Sequence, residues 1–462
     1  TEDALKRLGD MAAAITDPFG DQVLRLGVTG LSRAGKTVFI TGLVANLLDR
    51  GRMPQLRAEA EGRIETAFLQ PQPDDTLPRF DFESHIAALT GPDPHWPEGT
   101  RAISELRLSF RTRPTGILAG LRGPQVLHLD IVDYPGEWLM DLVLLDKTYG
   151  DWSDQVLDRL VARDLGADYL ARARAEDGAL PHDETRAKAL AEAFATYLHK
   201  ARDAGWSDCT PGRFTLPGEL AGSPVLTFAP LPMPGDTPRG SLWREMERRF
   251  EAYKSQVVRP FFRKHFARID RQVVLVDVLG AIHAGPAALE DLRRTMADLL
   301  SAFKPGRNGF LAEILRGKRV EKILFAATKA DHLHHSQHPR LTAITEALMR
   351  EARDRAAFSG AEVAAMSLAA IRATTEVTHE QAGVAHDMVQ GRLLTTGKAA
   401  AMYAGELPAD PARLLSPARQ GAPTWLDADY ALMHFAPARL MLRPGEGPPH
   451  IRLDRAAEFL IG

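Results

Sequence analysis

The chain has 462 residues, 45% of them apolar, and its 57 Lys and Arg against 60 Asp and Glu leave a formal net charge of −3. That balance excludes binding to nucleic acid or lipid through bulk charge, and the length allows two or three domains. The lone cysteine, Cys209, excludes an intramolecular disulfide and fits a reducing compartment. No apolar run reaches the ~18 residues of a membrane span, and the start, TEDALKRLGDMAAA, has no basic-then-apolar signal pattern. The expectation is a cytoplasmic protein with no transmembrane segment and no nucleic-acid partner.

Residues 5–15 read as a short amphipathic helix, with Leu5, Leu8, Met11 and Ala12 on one side. Val23, Leu24, Leu26 and Val28 then alternate as a strand, and Gly30-Leu31-Ser32-Arg33-Ala34-Gly35-Lys36-Thr37 runs straight into an apolar helical pattern ending near Asp49. This is G-x-x-x-x-G-K-[ST] in the context the motif requires, between a strand and a helix. Gly30 and Gly35 permit turns that a Cβ would block. The amides from Gly30 through Val38, those of Ser32, Arg33 and Ala34 among them, would cradle phosphate oxygens at a helix N-terminus. Lys36 would reach the β- and γ-phosphates, and the Thr37 hydroxyl would ligate Mg²⁺.

Residues 52–100 read as irregular, punctuated by six prolines from Pro71 to Pro97, with a helical patch at Asp81–Leu89. So long a connection fits a mobile loop. Ile103–Phe110 alternates like a half-buried strand, and Pro114–Gly123 is a turn region. Gln125–Val132 is an apolar strand leading into Asp133-Tyr134-Pro135-Gly136. A carboxylate at that strand tip would hold the metal, directly or through water, and the Gly136 amide would meet a γ-phosphate oxygen.

Residues 139–206 are helix-rich, with Trp152, Val156 and Leu160 on one face and Leu190, Phe194 and Leu198 on another. Seven prolines and five glycines make Thr210–Gly240 a loop, and Leu242–Arg268 is helical again. We read 145–268 as a helical insertion between 1–144 and 269–462. The arginines of its last helix admit a partner or anionic-lipid surface, but interleaved glutamates favour a solvated face. Gln272–Leu279, Lys322–Ala327 and Gly360–Met366 read as buried strands, with helices over Pro286–Phe303 and Pro339–Ala356 between them. Such alternation predicts an α/β fold, a mostly parallel sheet with helices on both faces, whose ligands sit at the C-terminal strand ends. A hairpin-like pair near Ala431–Leu442 and a helix over Leu453–Ile461 close the chain.

Thr328-Lys329-Ala330-Asp331, at one of those strand ends, bears on the base. A carboxylate there accepts from N1–H and the 2-amino group of guanine together, and adenine leaves it unmatched. The Lys329 stem would lie along the base, and Ser367, Leu368 and Ala369 would stand near the guanine O6. His332, His334, His335 and His338 fall within seven residues, and four imidazoles so close could bind a metal. No carboxylate or thiol at ligand spacing in sequence completes a cage, so they read as a solvated loop. Asp277 and His283 flank another strand end and read as turn caps.

The order of these motifs resembles that of Ras-like GTPase domains, over about 22–138 and 270–372. The chain is more specifically similar to the YcjX-like family of bacterial stress-associated P-loop GTPases. This resemblance is carried by GVTGLSRAGKT at Gly27–Thr37, ISELRL at Ile103–Leu108, DIVDYPGEW at Asp130–Trp138, TKADH at Thr328–His332 and PHIRLDRAAEFL at Pro449–Leu460. The resemblance implies binding of GTP and GDP with Mg²⁺, a bacterial cytoplasm, a link to envelope stress, and a membrane-protein partner that would bring the chain to the inner membrane. It also implies that Thr100 closes on the metal beside Thr37 and Asp133, and that Glu137 stands where a water-orienting glutamine is usual. Lys36, Thr100, Gly136 and Glu137 are then the catalytic candidates.

Two departures bear on the expectation. Thr328 stands where asparagine is usual and would brace the phosphate loop with one fewer group. Ser32 and Arg33 replace glycines and crowd the γ-phosphate, so an arginine from a partner would fit poorly; Arg33 or Arg101 could supply positive charge in cis, but each reads rather as a loop or phosphate-edge residue. Slow GTP hydrolysis by a molecular switch is the first reading. A nucleotide-dependent interaction protein with negligible hydrolysis, partnering a membrane protein, is the second, and an ATPase, which Asp331 argues against, the third.

Overall fold

The computed structural model describes residues 22–31, 34–99, 102–113, 124–161, 163–302, 320–357, 361–381, 384–425 and 430–462. The helix expected at 5–15 and the turn region 114–123 lie outside them, as do Ser32, Arg33, Thr100 and Arg101. Among the described residues the main sheet has seven strands: β1 (Gln22–Gly30), β2 (Ile64–Gln70), β3 (Ser104–Thr112), β4 (Gln125–Asp133), β5 (Arg271–Val276), β6 (Lys322–Ala327) and β7 (Glu362–Ser367). Their order is β2-β3-β4-β1-β5-β6-β7. The pairs β4–β1, β1–β5, β5–β6 and β6–β7 are parallel, while β2–β3 and β3–β4 are antiparallel.

Alternation within the central strands sorts side chains between two apolar layers. Leu26 and Val28 of β1, Val273 and Leu275 of β5, and Leu324 and Ala326 of β6 belong to one layer. Val274, Val276, Ile323, Phe325 and Ala327 belong to the other. The first layer is covered by α1 (Lys36–Leu48), buried almost all round from Thr37 to Leu47. A helix apolar on every side must be enclosed, and the C-terminal segment encloses this one: the Asn46 amide donates to the Pro448 carbonyl at 3.0 Å. The closing helix, α9 (Leu453–Ile461), packs Leu453, Ala456, Ala457 and Leu460 into the same layer.

On the opposite face lie the helices that run between β4 and β5. They include α3 (Tyr149–Val161), α4 (Glu184–Asp203) and α5 (Leu242–Tyr253). Trp152, Val156 and Leu160 of α3 and Leu190, Phe194 and Leu198 of α4 are buried, as their spacing predicts. Their aromatic cluster, with Trp152 stacked on Phe250 at 5.0 Å, is continuous with Val132, Val274 and Val276 of the sheet. On α5, Arg244 pairs with Glu247, Arg248 with Glu245, and the buried Arg249 with Glu184 and Glu245. The basic stretch is therefore largely neutralised within the chain.

Three expectations are corrected. Residues 52–100 hold not only α2 (Phe82–Thr90) but also β2, an edge strand on β3 that the prolines around it obscured. The strand expected at Gln272–Leu279 ends at Val276; Asp277 turns the chain by accepting from the Gly280 amide at 2.9 Å and caps α6 (Val278–Ala284). The antiparallel hairpin of the C-terminal region is formed by β8 (Thr374–Gln381) and β9 (Val384–Arg392), with β10 (Ala399–Met402) beside β9, and not by Ala431–Leu442, where Phe435 makes an isolated bridge to Leu393. Alternation there was weak because the strands carry polar residues on both faces. The helices α7 (Pro286–Ala302) and α8 (His338–Ala357) flank β6 in the chain, as expected.

Candidate nucleotide site

The segments that follow β1, β4, β6 and β7 border a cavity of about 610 Å³, within the range of small-ligand sites. Its floor is the phosphate loop. Gly35 adopts φ +75° at the start of α1, a left-handed conformation that strains a residue carrying a Cβ. The Leu31 amide donates to the Leu275 carbonyl at 3.1 Å, tying the loop to β5. Gly30, Ala34, Gly35, Lys36, Thr37 and Val38 border the cavity.

The Lys36 ammonium forms an ion pair with the Asp133 carboxylate at the tip of β4, and both side chains are buried, at 11% and 1% exposure. The Thr37 hydroxyl follows directly in α1. A hydroxyl and a carboxylate are hard-oxygen donors, which fit Mg²⁺ rather than a thiophilic ion. Gly136 lies so close to the loop that a Cβ on it would meet the Gly30 carbonyl oxygen at 1.8 Å. Glu137 borders the cavity and its Oε1 stands 3.3 Å from Nε of Arg202, in the last turn of α4. The next residue, Trp138, lies under the Arg213 guanidinium at 3.3 Å and donates its indole N–H to the Leu216 carbonyl at 3.0 Å.

The opposite end of the cavity is bordered by Thr328, Lys329, Asp331 and Leu368–Ile371. Lys329 takes φ 60° and its ammonium pairs with Asp277, so Asp277 both caps α6 and holds the lysine. One Asp331 oxygen accepts from the Ala373 amide at 2.8 Å. Burial acts to raise the Asp331 pKa, but the His332 imidazole and the Ala373 amide outweigh it and hold the carboxyl below its ordinary value. It is therefore ionised at neutral pH, an acceptor only.

Two base-side residues depart from expectation. The Thr328 hydroxyl faces the Val276 carbonyl at 3.4 Å, not the phosphate loop. Ser367 is fully buried behind the cavity: its hydroxyl contacts Thr342 at 2.8 Å and the His338 carbonyl at 3.1 Å and accepts from Arg452 at 2.6 Å. Its amide donates to Thr342, and those of Leu368 and Ala369 donate to Ala327 and Ile451; Ala370 and Ile371 also border the cavity. Thr100, Ser32 and Arg33 lie outside the described residues, though Trp96, Pro97 and Gly99 border the cavity just before Thr100.

Arg202 and Phe435 were not legible as site residues, since neither sits in a motif. Trp96 offered only the general signal of an exposed-loop tryptophan; its indole N–H reaches the Phe435 carbonyl at 2.8 Å. The histidines separate. His338 is buried with Nε2 2.8 Å from the Ala330 carbonyl, and His332 packs against Phe435 at 5.4 Å. Against the expectation that no carboxylate joins them, Glu376 of β8 stands between His334 and His335.

The YcjX-like family, DUF463, matches residues 24–462. A protein of Escherichia coli strain K12 named Ras-like GTPase YcjX is 36% identical over 472 aligned residues, covering 99% of each chain. A Shewanella oneidensis protein of the same name is 34% identical over 487, covering 99% of this chain and 98% of that one. Among the described residues, no helix is long and apolar enough to cross a membrane.

Proposed function

The chain belongs to the YcjX-like family, and on that premise we propose that it binds GTP and GDP with Mg²⁺, hydrolyses GTP slowly and works as a nucleotide-dependent switch. The observation that supports this most is the convergence on one cavity of the phosphate loop, Glu137 and the Thr328–Asp331 turn, with Lys36 tied to Asp133 at its floor. The names borne by the two relatives point the same way.

In this reading the loop amides and Lys36 bind the β- and γ-phosphates, and Asp331 accepts from N1–H and the 2-amino group of guanine. The amides of Ala370 and Ile371 take the O6 contact first expected of Ser367 and Ala369. Thr37 and Asp133 would hold Mg²⁺, with Thr100 joining them. The metal when bound supplies charge that offsets the build-up on the phosphate oxygens. Glu137 would steer the attacking water, and Arg202 would offset the charge of its carboxylate. Positioning and fixed charge carry most of this chemistry, so unassisted turnover on the order of 10⁻³ s⁻¹ is expected. The 145–268 insertion would be a helical subdomain seated on the Gly136–Trp138 stretch, where Arg202 meets Glu137 and Arg213 covers Trp138. A role in envelope stress and a membrane-protein partner rest on the family resemblance alone.

Parallel titrations with fluorescent GDP and ADP, followed by single-turnover phosphate release, test the reading. Tight GDP binding, weak ADP binding and slow release are expected. Equal ADP binding would overturn the guanine assignment. Tight GTP binding with no release would leave a nucleotide-dependent interaction protein.

A further inference from the structure

Beyond the nucleotide cavity, the loop after the base turn and the first strand of the C-terminal hairpin bring together two imidazoles and a carboxylate. We propose that His334, His335 and Glu376 form a binding site for a divalent transition-metal ion, with zinc the ion that fits best. The three donor atoms lie within 4.8 Å of one another. His335 Nδ1 stands 2.8 Å and His334 Nε2 3.6 Å from the same Glu376 oxygen, Oε2. A tetrahedral zinc with bonds of 2.0–2.2 Å spaces its donors roughly 3.3–3.5 Å apart, so small side-chain adjustments admit the ion.

The surroundings have the form that such ligands require. A metal-bound imidazole donates its other ring N–H to a carboxylate or another acceptor, which fixes its tautomer and orientation. His334 Nδ1 lies 2.9 Å from the Ser336 hydroxyl and 3.5 Å from Asp387 Oδ2 on β9. Nδ1 also accepts from the Ser336 amide at 3.5 Å, so binding an ion through Nε2 requires the tautomer that carries its proton on Nδ1, directed to those oxygens, with the Nε2 lone pair toward Glu376. Glu376 is itself held, since Oε1 accepts from the His335 amide at 3.1 Å and lies 4.0 Å from Arg372 Nη2. Two nitrogens and one carboxylate oxygen favour zinc over Mg²⁺ or Ca²⁺, and the 69% exposure of the His335 side chain leaves a fourth position open to water.

The ion would cross-link the loop following Asp331 to β8. The start of that strand already holds Asp331, through the amide of the preceding Ala373 on its carboxylate and the Thr374 hydroxyl on its carbonyl. The site does not depend on which nucleotide the cavity takes.

Tag-free, chelator-stripped full-length protein is titrated with Zn²⁺ against a chromophoric competitor, with excess Mg²⁺ present to fill the phosphate-loop site. One ion per chain is expected, at about micromolar Kd or tighter. The exposed His335→Ala, together with Glu376→Gln, is expected to weaken binding about 100-fold, and Asp387→Asn about 10-fold. The Co²⁺-substituted protein is expected to show the intense visible bands of a four-coordinate ion, lost in the same variants. Affinity unchanged by His335→Ala and Glu376→Gln, or no ion bound at 100-fold higher zinc, would overturn the assignment. Circular dichroism of the variants separates loss of ligands from loss of fold.

Discussion

Arg202, in the last turn of α4, reaches across the cavity wall to Glu137, Nε to Oε1 3.3 Å, and ties the helices that follow β4 to the segment beside the phosphate loop. In the proposed reading, the pair offsets the charge of a carboxylate placed near a triphosphate. With Arg202→Ala, the uncovered Glu137 charge is expected to weaken GTP binding about fivefold relative to GDP, the scale of a partly exposed pair worth ~1 kcal/mol. Adding Glu137→Gln should restore the ratio. Equal effects on GTP and GDP in competition binding would show that the pair does not sense the γ-phosphate.

Lys36→Ala is expected to abolish nucleotide binding, since it removes the ammonium placed to reach the β- and γ-phosphates. It should also lower thermal stability, because the deeply buried Asp133 carboxylate loses its counter-charge, at a cost of up to about 3 kcal/mol. Restoring the melting temperature with Asp133→Asn, without restoring binding, would separate the two roles. Tight GTP binding by Lys36→Ala would remove the phosphate-loop assignment.

Asp331→Asn presents an amide donor where guanine also donates, while still offering an oxygen to the Ala373 amide. Affinity for guanine nucleotides is expected to fall by 10- to 100-fold, the loss of about 1.5–3 kcal/mol from a charged hydrogen bond. Affinity for xanthine nucleotides should rise. Displacement of a fluorescent nucleotide by GDP and by XDP measures both, and unchanged preference would place Asp331 outside the base site.

Asp141 gives the protein a predictable pH response. Burial lifts its pKa from 3.8 to about 7, and the Tyr253 hydroxyl and Gly212 amide offset only part of that rise. The folded state therefore keeps a proton that the unfolded chain has shed. This contribution to stability is fully present below about pH 4 and is lost as pH rises through about 7. The melting temperature of the native protein relative to Asp141→Asn should fall between pH 5 and pH 8. A constant difference across that range would exclude Asp141 as the titrating group.

Local patterning alone marked the parallel strands of the sheet and the stretches that border the cavity at its two ends, though not the edge strand β2. The phosphate loop, the carboxylate at the end of β4 and the TKAD turn are short stretches whose backbone requirements are written in adjacent residues, and alternating apolar runs mark buried parallel strands whatever surrounds them. Contacts between residues far apart in the chain needed the tertiary structure. Arg202 meets Glu137 across 65 positions and Glu376 meets His335 across 41, and no local period links such partners. Ser367 shows the limit most plainly. Its position at the end of β7 was legible, but the orientation of its hydroxyl was decided by Thr342, His338 and Arg452, because a buried polar group turns to the partners that packing supplies.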